Sequence, residues 1–501
     1  MNFASRTPVN ENPDQVSYRR GFVTRHQVTG WRFVMRRIAS GIALHDTRML
    51  VDPLRTQSRS VLMGALIVIT GLIGCFIFSL IRPSGTVGNN IVVADRDSSA
   101  LYVRIDDQLH PVLNLTSARL IAGRSVQPAG VGPAALDKFA RGAMVGIPGA
   151  PERMVQNSTR DADWTVCDST GPVYPGVTVI GGRPTEGGQR ASALKPATAV
   201  LVDSGPPGAP MNWLLWDGRR SPIDLGDRAV TSALGFGSNS PSVRRISAGL
   251  FNAIPEGMPL RAPVFPGAGA PPEFPLPVPV PVGGVVVAYG TDSTMLYYAV
   301  LPDGLQPVSP VLAALLRNTN SYGLEQPPRL DADEIARAPV SRMIDTAAYP
   351  AERIDVVDAV SSPVTCVRWA KAADASTSSL TLLSGAALPI ADGAGTVDLL
   401  GAPGGTTASR VAVPTGTGYF VQTVGQEPAS PAAGSLFWIS DTGMRYGIEA
   451  ANPDEVAKTV AALGLNQPAM PAPWAVLALF VPGPALSKAD ALTVFTGVGN
   501  R

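Results

Sequence analysis

One stretch of the chain is apolar without interruption. It runs from Val61 to Ile81 and contains 21 residues with no charge (VLMGALIVITGLIGCFIFSLI). As an α-helix it would be about 31 Å long, which matches a bilayer hydrocarbon core of about 30 Å. A signal peptide would have a shorter apolar region near the N-terminus and a small-residue cleavage site, which "SLIRPSG" does not provide. The pattern therefore predicts a single permanent membrane helix over 61–81. Its anchoring side chains are Val61, Leu62, Leu66, Ile69, Leu72, Phe76, Phe78 and Ile81.

Before the membrane segment, residues 16–44 contain no proline and interleave apolar residues with arginines. The apolar positions 31, 34, 38 and 42 fall on one face of a helix. An amphipathic helix of this kind is typical of segments that lie on anionic lipid or dock on a partner protein. Asp52-Pro53 is expected to end it. The arginines assigned to this contact are Arg19, Arg20, Arg25, Arg32, Arg36, Arg37, Arg48, Arg55 and Arg59.

The charge of the chain is asymmetric. Residues 1–60 hold ten arginines, no lysine and four acidic residues, a net charge of +6, whereas residues 82–501 sum to −5. A basic tail also occurs in nucleic-acid-binding proteins, but here it adjoins a membrane segment, so a membrane role is favoured and no nucleic-acid partner is expected. The positive-inside rule predicts a cytoplasmic N-terminus, a single pass through the inner membrane and a periplasmic C-terminal region.

The exported region is rich in Gly and Pro and has short β-type runs such as "GTVGNNIVVAD", "VVVAYG" and "SRVAVP". Four stretches favour helix: "PAALDKFARGAM", "SVRRISAGLFNAI", "PVLAALLRN" and "NPDEVAKTVAALG". The mixture predicts an α+β fold.

A repeated pattern runs through this region: an aromatic-aliphatic strand, an aspartate-containing turn, a second short strand and usually a helix. A turn aspartate is expected to bond its own backbone downstream. The four turn residues are Asp106, Asp217, Asp303 and Asp441, spaced 111, 86 and 138 residues apart. The first and third gaps carry extra material with one cysteine each. Duplication into two pairs of repeats around a central domain built from both insertions fits this spacing.

The proline-rich stretch "APVFPGAGAPPEFPLPVPVPVGG" (262–284) lies in the middle gap and is expected to be extended, as a linker, an exposed loop or a peptide ligand for another protein. The predicted segments are 1–60 (cytoplasmic helix and connector), 61–81 (membrane helix), 82–160 (repeat 1), 161–205 (central domain, first part), 206–260 (repeat 2), 261–284 (proline-rich loop), 285–350 (repeat 3), 351–430 (central domain, second part) and 431–501 (repeat 4 and C-terminal segment).

The chain has three cysteines. Cys75 lies in the membrane segment and is interpreted as a small apolar residue. Cys167 and Cys366 form an even pair in the exported region, where the simplest expectation is one disulfide, and two buried free thiols are the alternative.

Catalytic patterns are scarce. None of the five lysines follows a glycine, so the sequence has no conventional phosphate-binding loop, and neither GxGxxG nor GxSxG occurs. His26 and His45 are on the predicted cytoplasmic side and His110 is interpreted as a turn residue. The acids Asp331, Asp333 and Glu334 are more typical of a helix start than of a glycosidase pair. No catalytic residue, metal site or cofactor is predicted, and the composition favours an architectural role.

Several long segments resemble one protein family. They are "HDTRMLVDPLRTQSRS" (45–60), "WTVCD" (164–168), "NAIPEG" (252–257), "SPVLAALLRNTNSYG" (309–323), "GSLFWISDTGMRYGI" (434–448) and "PAPWAVLALFVPGPALSKADAL" (471–492). Together they resemble the EccB family, a membrane core component of the type VII (ESX) secretion machines of mycobacteria and related actinobacteria, from about residue 15 to the C-terminus.

The resemblance implies a cytoplasmic helix, one membrane helix and an elongated periplasmic region of four small α/β repeats around a central mainly-β domain. It implies that the family's cysteine pair falls on Cys167 and Cys366. It also implies a scaffold that assembles with EccC, EccD, EccE, the mycosin MycP, other EccB copies and membrane lipid.

Two other functions stay open at this point. Some EccB proteins carry an ATPase label, so an unconventional ATP site is one alternative. Cell-wall binding is the other, because exposed aromatic residues in the repeats would stack on sugars, although aromatic residues at strand positions more often belong to the core. The aromatic residues concerned are Tyr102, Trp213, Tyr297 and Trp438.

Overall fold

The computed structural model describes residues 24–45, 53–81, 86–237, 241–400 and 407–495, and within these it leaves out the side chains of 53–57 and 79–81. The chain divides into two units, Met1–Ser84 and Gly85–Arg501. The helices are α1 (Arg25–Leu44), α2 (Pro53–Ile81), α3 (Leu115–Ala122), α4 (Pro133–Leu136), α5 (Arg228–Leu234), α6 (Ala248–Ala253), α7 (Pro310–Thr319), α8 (Ala332–Arg337), α9 (Pro453–Leu463), α10 (Trp474–Leu477) and α11 (Lys488–Ala491), with a 3-10 turn at Thr346–Ala348.

All of the strands described belong to the second unit. They are β1 (Val92–Asp95), β2 (Leu101–Ile105), β3 (Gln108–Pro111), β4 (Ala129–Val131), β5 (Met144–Val145), β6 (Ala162–Ser169), β7 (Gly176–Gly181), β8 (Ser192–Ala193), β9 (Thr198–Asp203), β10 (Asn212–Trp216), β11 (Arg219–Pro222), β12 (Arg244–Arg245), β13 (Val285–Tyr289), β14 (Met295–Leu301), β15 (Gly304–Val308), β16 (Asp355–Val356), β17 (Val364–Lys371), β18 (Ser379–Gly385), β19 (Val397–Asp398), β20 (Arg410–Ala412), β21 (Tyr419–Val424), β22 (Leu436–Ile439), β23 (Met444–Ile448), β24 (Met470–Pro473), β25 (Val481–Pro482) and β26 (Val494–Phe495).

Four of the sheets begin with a three-strand meander followed by a helix. Sheet 1 has the order β3-β2-β1-β4, sheet 2 has β11-β10-β9-β12, sheet 3 has β13-β14-β15 and sheet 4 has β24-β21-β22-β23-β25. After the helix, the chain returns beside the first strand in a parallel direction in sheets 1, 2 and 4. In sheet 3 a parallel bridge from Val287 to Arg329 takes the same place.

The seven-stranded central sheet has the order β19-β20-β7-β6-β17-β18-β8. Its middle pair, β6 and β17, aligns antiparallel over eight residues and joins the two segments that lie about 200 positions apart in sequence. Side chains from the central sheet, sheets 2 and 4 and the short helices α6 and α10 share one hydrophobic core. Sheets 2 and 3 share a second core, and α3 shares a third with sheet 4.

Sheet membership departs from the predicted segments at two strands. β9 falls within 161–205 but pairs with β10 of sheet 2, and β21 falls within 351–430 but pairs with β22 of sheet 4. In both cases a backbone turn redirects the chain out of the central sheet just before the strand, at Lys195–Thr198 and at Pro414–Thr417.

Two predicted helices are shorter in the structure. The first, within "PAALDKFARGAM", is confined to α4. The second, within "SVRRISAGLFNAI", is divided: Arg244–Arg245 extends sheet 2 as β12, and α6 begins only after Ser247. The backbone N–H and the hydroxyl of Ser247 donate to the Asp168 carboxylate at 2.7 and 2.8 Å, so this tertiary contact outweighs local helix propensity.

The proline-rich segment is packed along sheet 3 rather than lying free as an exposed loop. Phe274 and Val280 are buried in a core with strand residues of this sheet. The intervening positions that face solvent are Pro275, Pro277 and Pro279. Proline has no N–H for a strand ladder, but an extended backbone still alternates its side chains, so the segment covers one face of the sheet without joining it.

Candidate functional site: the anchor helices and the linked sheets

Helix α2 contains the predicted membrane segment. Within the described residues, Ser58–Phe78 is the one helical stretch long and apolar enough to cross a bilayer. The predicted anchoring side chains from Val61 to Phe78 are all exposed, as is Cys75. For Ile81 only the backbone is described, and it is helical. Such a surface matches the requirement for lipid contact, since the helix satisfies its own backbone hydrogen bonds.

Helix α1 presents an unpartnered apolar face. Thr24 and Gln27 form a capping box that begins the helix. Trp31, Ile38 and Ile42 are at least half exposed on one side, with Val34 beside them. The arginines of this helix that were assigned to a contact surface, all exposed, are Arg25, Arg32, Arg36 and Arg37.

The remaining arginines of that assignment are described less fully. Arg59 lies on α2 and is exposed, and Arg55 lies in the same helix with only its backbone described. Arg19, Arg20 and Arg48 lie outside the described residues. The proposed contact role of these arginines stays a prediction.

Cys167 and Cys366 form a disulfide at the middle of the central sheet. They face each other directly in the β6–β17 register, and both are fully buried. The bond therefore joins the two insertions at the point where their strands already pair. Within the described residues, Cys75 is the cysteine that remains free.

Two arginines reinforce the same strand pair. Arg244, 6% exposed, donates to the Thr365 hydroxyl at 2.8 Å and to the Pro363 carbonyl at 3.0 Å, so it fastens sheet 2 to the central sheet. Burial lowers the pKa of Arg244. On the opposite face, Arg368 Nε donates to Asp163 Oδ1 at 2.9 Å, and the hydrogen bond to Asp163 raises the pKa of Arg368. Neither arginine belongs to a recognisable sequence motif, so neither role was predicted from the sequence.

The four predicted turn aspartates all lie in the hairpins that follow the second strand of a meander. Asp106 and Asp217 have φ values of 46° and 45°, the left-handed region that aspartate tolerates better than most residues. Asp441 accepts from the Gly416 N–H at 2.7 Å, on the loop that precedes β21, instead of bonding downstream as expected. Asp303 connects β14 to β15.

The turns of sheets 2 and 4 pack against the central sheet. A Cβ at Gly218 would lie 2.8 Å from the Leu380 carbonyl oxygen of β18, and one at Gly443 would lie 2.8 Å from Val411 of β20. Both glycines also have positive φ values, of 72° and 82°. Only glycine satisfies the close approach and the backbone conformation together.

Sheets 2 and 4 each use an arginine to cap a short helix. Arg220 donates to the Phe251 carbonyl of α6 at 2.7 Å and lies over the Phe251 ring. Arg445 donates to the Leu477 carbonyl of α10 at 3.1 Å and lies over the ring of Trp474. A signal for these two arginines was present in the sequence, because Arg220 follows the turn residue Asp217 by three positions and Arg445 follows Asp441 by four.

The histidine and the acidic residues weighed as catalytic candidates make contacts that stabilise the fold. His110 Nδ1 is 2.8 Å from the Ala143 carbonyl oxygen. Asp331 and Glu334 form the capping box of α8, as expected for a helix start, and Asp333 pairs with Arg337. In the described part of the chain, no three His, Cys, Asp or Glu side chains are grouped as a metal site.

The aromatic residues considered for sugar stacking are mainly core residues. Tyr102, Trp213 and Trp438 are at most 9% exposed, and Tyr297 is half-buried. A buried ring has no open face on which a sugar could stack. Tyr102, Trp213 and Trp438 therefore do not provide the stacking surface that cell-wall binding would need.

Within the described residues, the cavities between these elements include two of substantial volume. The larger, of about 840 Å³, is bounded by the sheet 2 turn, sheet 3 and β18, and side chains of both charges line it, including Lys195, Asp217, Arg219 and Glu352. The smaller, of about 400 Å³, lies between residues 156–160, the end of β17 and residues 467–471.

Residues 20–499 match the protein family described as type VII secretion system ESX-1, transport TM domain B. The chain is 64% identical over 499 residues to the ESX-3 secretion system ATPase EccB3 of Mycolicibacterium smegmatis, with 100% of this chain and 96% of that protein covered. It is 37% identical over 487 residues to the ESX-5 secretion system ATPase EccB5 of Mycobacterium marinum, with 95% and 94% covered.

Solved structures agree with these relatives. The fold is similar to a chain in the EccB3 dimer from the ESX-3 core complex, with a TM-score of 0.72 and 58% identity, covering 81% of this chain and 100% of that one. It is also similar to a chain of an intact ESX-5 inner membrane complex, with a TM-score of 0.73 and 34% identity, covering 97% and 98%.

Proposed function

The chain belongs to the EccB family of type VII secretion proteins, and on that premise we propose that it is a structural component of an ESX inner-membrane complex. The observation that carries the proposal is the likeness to a chain of an intact ESX-5 inner membrane complex over 97% of this chain. The exposed anchor α2 and the cross-linked extramembrane sheets are the physical features that such a component needs.

The proposal includes an ESX-3 type of complex. The identity to an EccB3 protein is 64%, against 37% to an EccB5 protein over a similar length. A difference of this size between paralogues supports assignment to the first.

The proposed topology has the N-terminus in the cytoplasm and the second unit in the periplasm. Ten arginines precede the apolar segment 61–81 in the sequence, which supports this orientation through the positive-inside rule. The exposed apolar face of α1, with arginines on the same helix, supports a role in gripping lipid or a neighbouring subunit at the membrane surface.

The periplasmic unit is proposed to be four repeats around a central domain. The shared β-β-β-α order, the parallel return strand and the aspartate at the same turn support duplication. The disulfide and Arg244 support a rigid connection between the two insertions that build the central sheet.

The partners proposed are EccC and EccD near the basic segment 19–59, together with EccE, the mycosin MycP and further copies of this chain. The dimer and inner-membrane assemblies of the related structures support multimers and other ESX components in general.

A nucleotide-hydrolysing role is not part of the proposal. Relatives carry the word ATPase in their names, but this sequence has no Gly-Lys pair to place a lysine beside cradled phosphates. We propose that the chain holds no cofactor.

The test is purification of a tagged full-length copy from its own membranes in mild detergent, with mass spectrometry of the proteins that accompany it. The proposal expects the other ESX membrane components in stoichiometric amounts, and their loss when residues 1–59 are deleted would assign the basic N-terminal segment to assembly. ATP turnover by the purified chain, abolished by a point substitution within it, would favour the enzymatic alternative.

A further inference from the structure

The 400 Å³ cavity lies where three parts of the second unit meet. Its walls are the segment that leads into β6, the end of β17 and the segment that leads into β24 of sheet 4. The β6–β17 register pairs Lys371 with Ala162, which brings the lysine close to the residues that precede β6. Arg160 is one of these, and both basic side chains line the cavity.

Several hydrogen-bond acceptors around this cavity are engaged within the protein. Gln156 and Gln467 bond each other through side-chain and backbone atoms at 3.1 and 3.3 Å. The Pro471 carbonyl accepts from the Trp164 indole N–H at 3.1 Å. Two carboxylates adjoin the lining segments in sequence, those of Asp161 and Asp374, and neither residue lines the cavity. Asp161 accepts from the Ala373 backbone N–H at 2.9 Å.

The two basic side chains that line the cavity, in contrast, have no such partners among the described residues. Within the described part of the chain, the side chains of Arg160 and Lys371 make no hydrogen bond or ion pair. Ser158 and Thr159 add two hydroxyl groups to the same wall, and none of the residues lining the cavity is acidic. Arg160, Ser158 and Thr159 are exposed and Lys371 is half-buried. The cavity therefore presents two positive charges and two hydroxyl groups on a solvent-accessible wall, a pattern suited to an anion.

We propose that this cavity binds an anionic group, a phosphate ester or a carboxylate, held by Arg160 and Lys371 between the central sheet and sheet 4. A volume of about 400 Å³ lies within the range of small-molecule sites, so the anion has room for the organic group that carries it. Such a ligand would connect two wall segments from different parts of the chain and stabilise their junction.

The proposal is tested by isothermal titration calorimetry of the full chain in detergent, with inorganic phosphate and succinate as separate probes and chloride matching the ionic strength. Saturable binding of at least one probe is expected, and the probe that binds identifies the phosphate or carboxylate class. Arg160→Gln and Lys371→Gln should each weaken binding by roughly tenfold or more, because each removes a charge-assisted contact.

Lys195→Gln is the matched control, since it removes the same charge from a lining residue of the larger cavity. It should leave the affinity unchanged. Near-ultraviolet circular dichroism verifies that each variant is folded. The proposal is overturned if neither probe binds saturably at millimolar concentration, or if Lys195→Gln weakens binding as much as Arg160→Gln does.

Discussion

Strand β6 and helix α2 reverse the usual relation between polarity and burial. All eight residues of β6 are buried, although they include Asp163 and Asp168. Every side chain described in α2 is exposed, although Val61–Phe78 contains no charge. The strand buries its carboxylates because Arg368 and Ser247 satisfy them with hydrogen bonds, whereas the helix has no protein surface of its own unit to cover it.

Each of the two regions is therefore completed by a different environment. The buried polar groups of the central sheet form hydrogen bonds with other residues of the same chain, so the stability of the sheet depends on those residues. Helix α2 satisfies only its own backbone hydrogen bonds. Its apolar side chains depend on lipid or on other membrane helices to remove them from water. Substitutions in the two regions should therefore show their effects in different assays. Those in the central sheet should change the free energy of unfolding, and those in α2 should change membrane integration.

The largest effect is expected for charges placed in α2. Arginine near the centre of a membrane helix costs about 2.5 to 3.5 kcal/mol of insertion free energy, so Ile69→Arg combined with Leu72→Arg should abolish integration. Alkaline carbonate extraction measures this, and the double variant should move from the pellet to the supernatant. Leu72→Phe is the control and should remain in the pellet. Retention of the double variant in the membrane would contradict the assignment of α2 as the anchor.

The next effect is expected for the arginine buried beside the central sheet. Arg244→Ala removes four hydrogen bonds, to the Thr365 hydroxyl and to three backbone carbonyls, and should lower the free energy of unfolding by about 3 to 5 kcal/mol. Urea unfolding followed by tryptophan fluorescence measures the change.

Its neighbour provides a control at the adjacent position. Arg245 is exposed and pairs with Asp203 at 3.4 Å, so Arg245→Ala should cost at most about 1 kcal/mol. Equal losses for the two variants would show that burial of Arg244 does not determine its contribution.

A somewhat smaller effect is expected for the disulfide. Replacement of Cys167 and Cys366 by serine should reduce the free energy of unfolding by about 2 to 4 kcal/mol, since the bond constrains a long loop in the unfolded chain. The ladder between β6 and β17 remains, so the variant should still fold. Cys75→Ser, in helix α2, should leave the unfolding of the second unit unchanged. An unaltered urea midpoint in the double variant would contradict a stabilising role for the bond.

The smallest effect is a dependence on alkaline pH. Burial raises the pKa of Tyr419 to about 12 from its ordinary value of 10.0. Between these values the unfolded chain loses the proton and the folded chain keeps it, so stability present below pH 10 declines as the pH rises toward 12. Tyr419→Phe should flatten the decline in unfolding free energy over this range. An identical pH profile in the variant would show that Tyr419 does not contribute.

The sequence predicted the elements whose signals are local. An uncharged run defined α2, and the repeated turn aspartates marked the hairpins of all four meander sheets. The pairing of Cys167 with Cys366 was expected from their even number and from the oxidising compartment predicted for them. The proline-rich segment was predicted to be extended but not to cover sheet 3, because its contacts come from Phe274 and Val280 meeting strands that follow it in the chain.

Contacts between distant segments could not be predicted. The roles of Arg244 and Arg368 depend on residues that are 76 to 205 positions away, which no local pattern encodes. The sheet membership of β9 and β21 likewise depends on turns whose direction is set by tertiary packing. The cavity at Arg160 and Lys371 exists only once the β6–β17 register is formed.

The most direct test of the central claim is the native mass of the full chain after gentle extraction from its own membranes. The account predicts a large particle that contains other ESX membrane components, and a shift to smaller mass when residues 1–59 are removed. A lone monomer or dimer, under conditions in which the other components remain together, would contradict the assignment as a structural component of the complex.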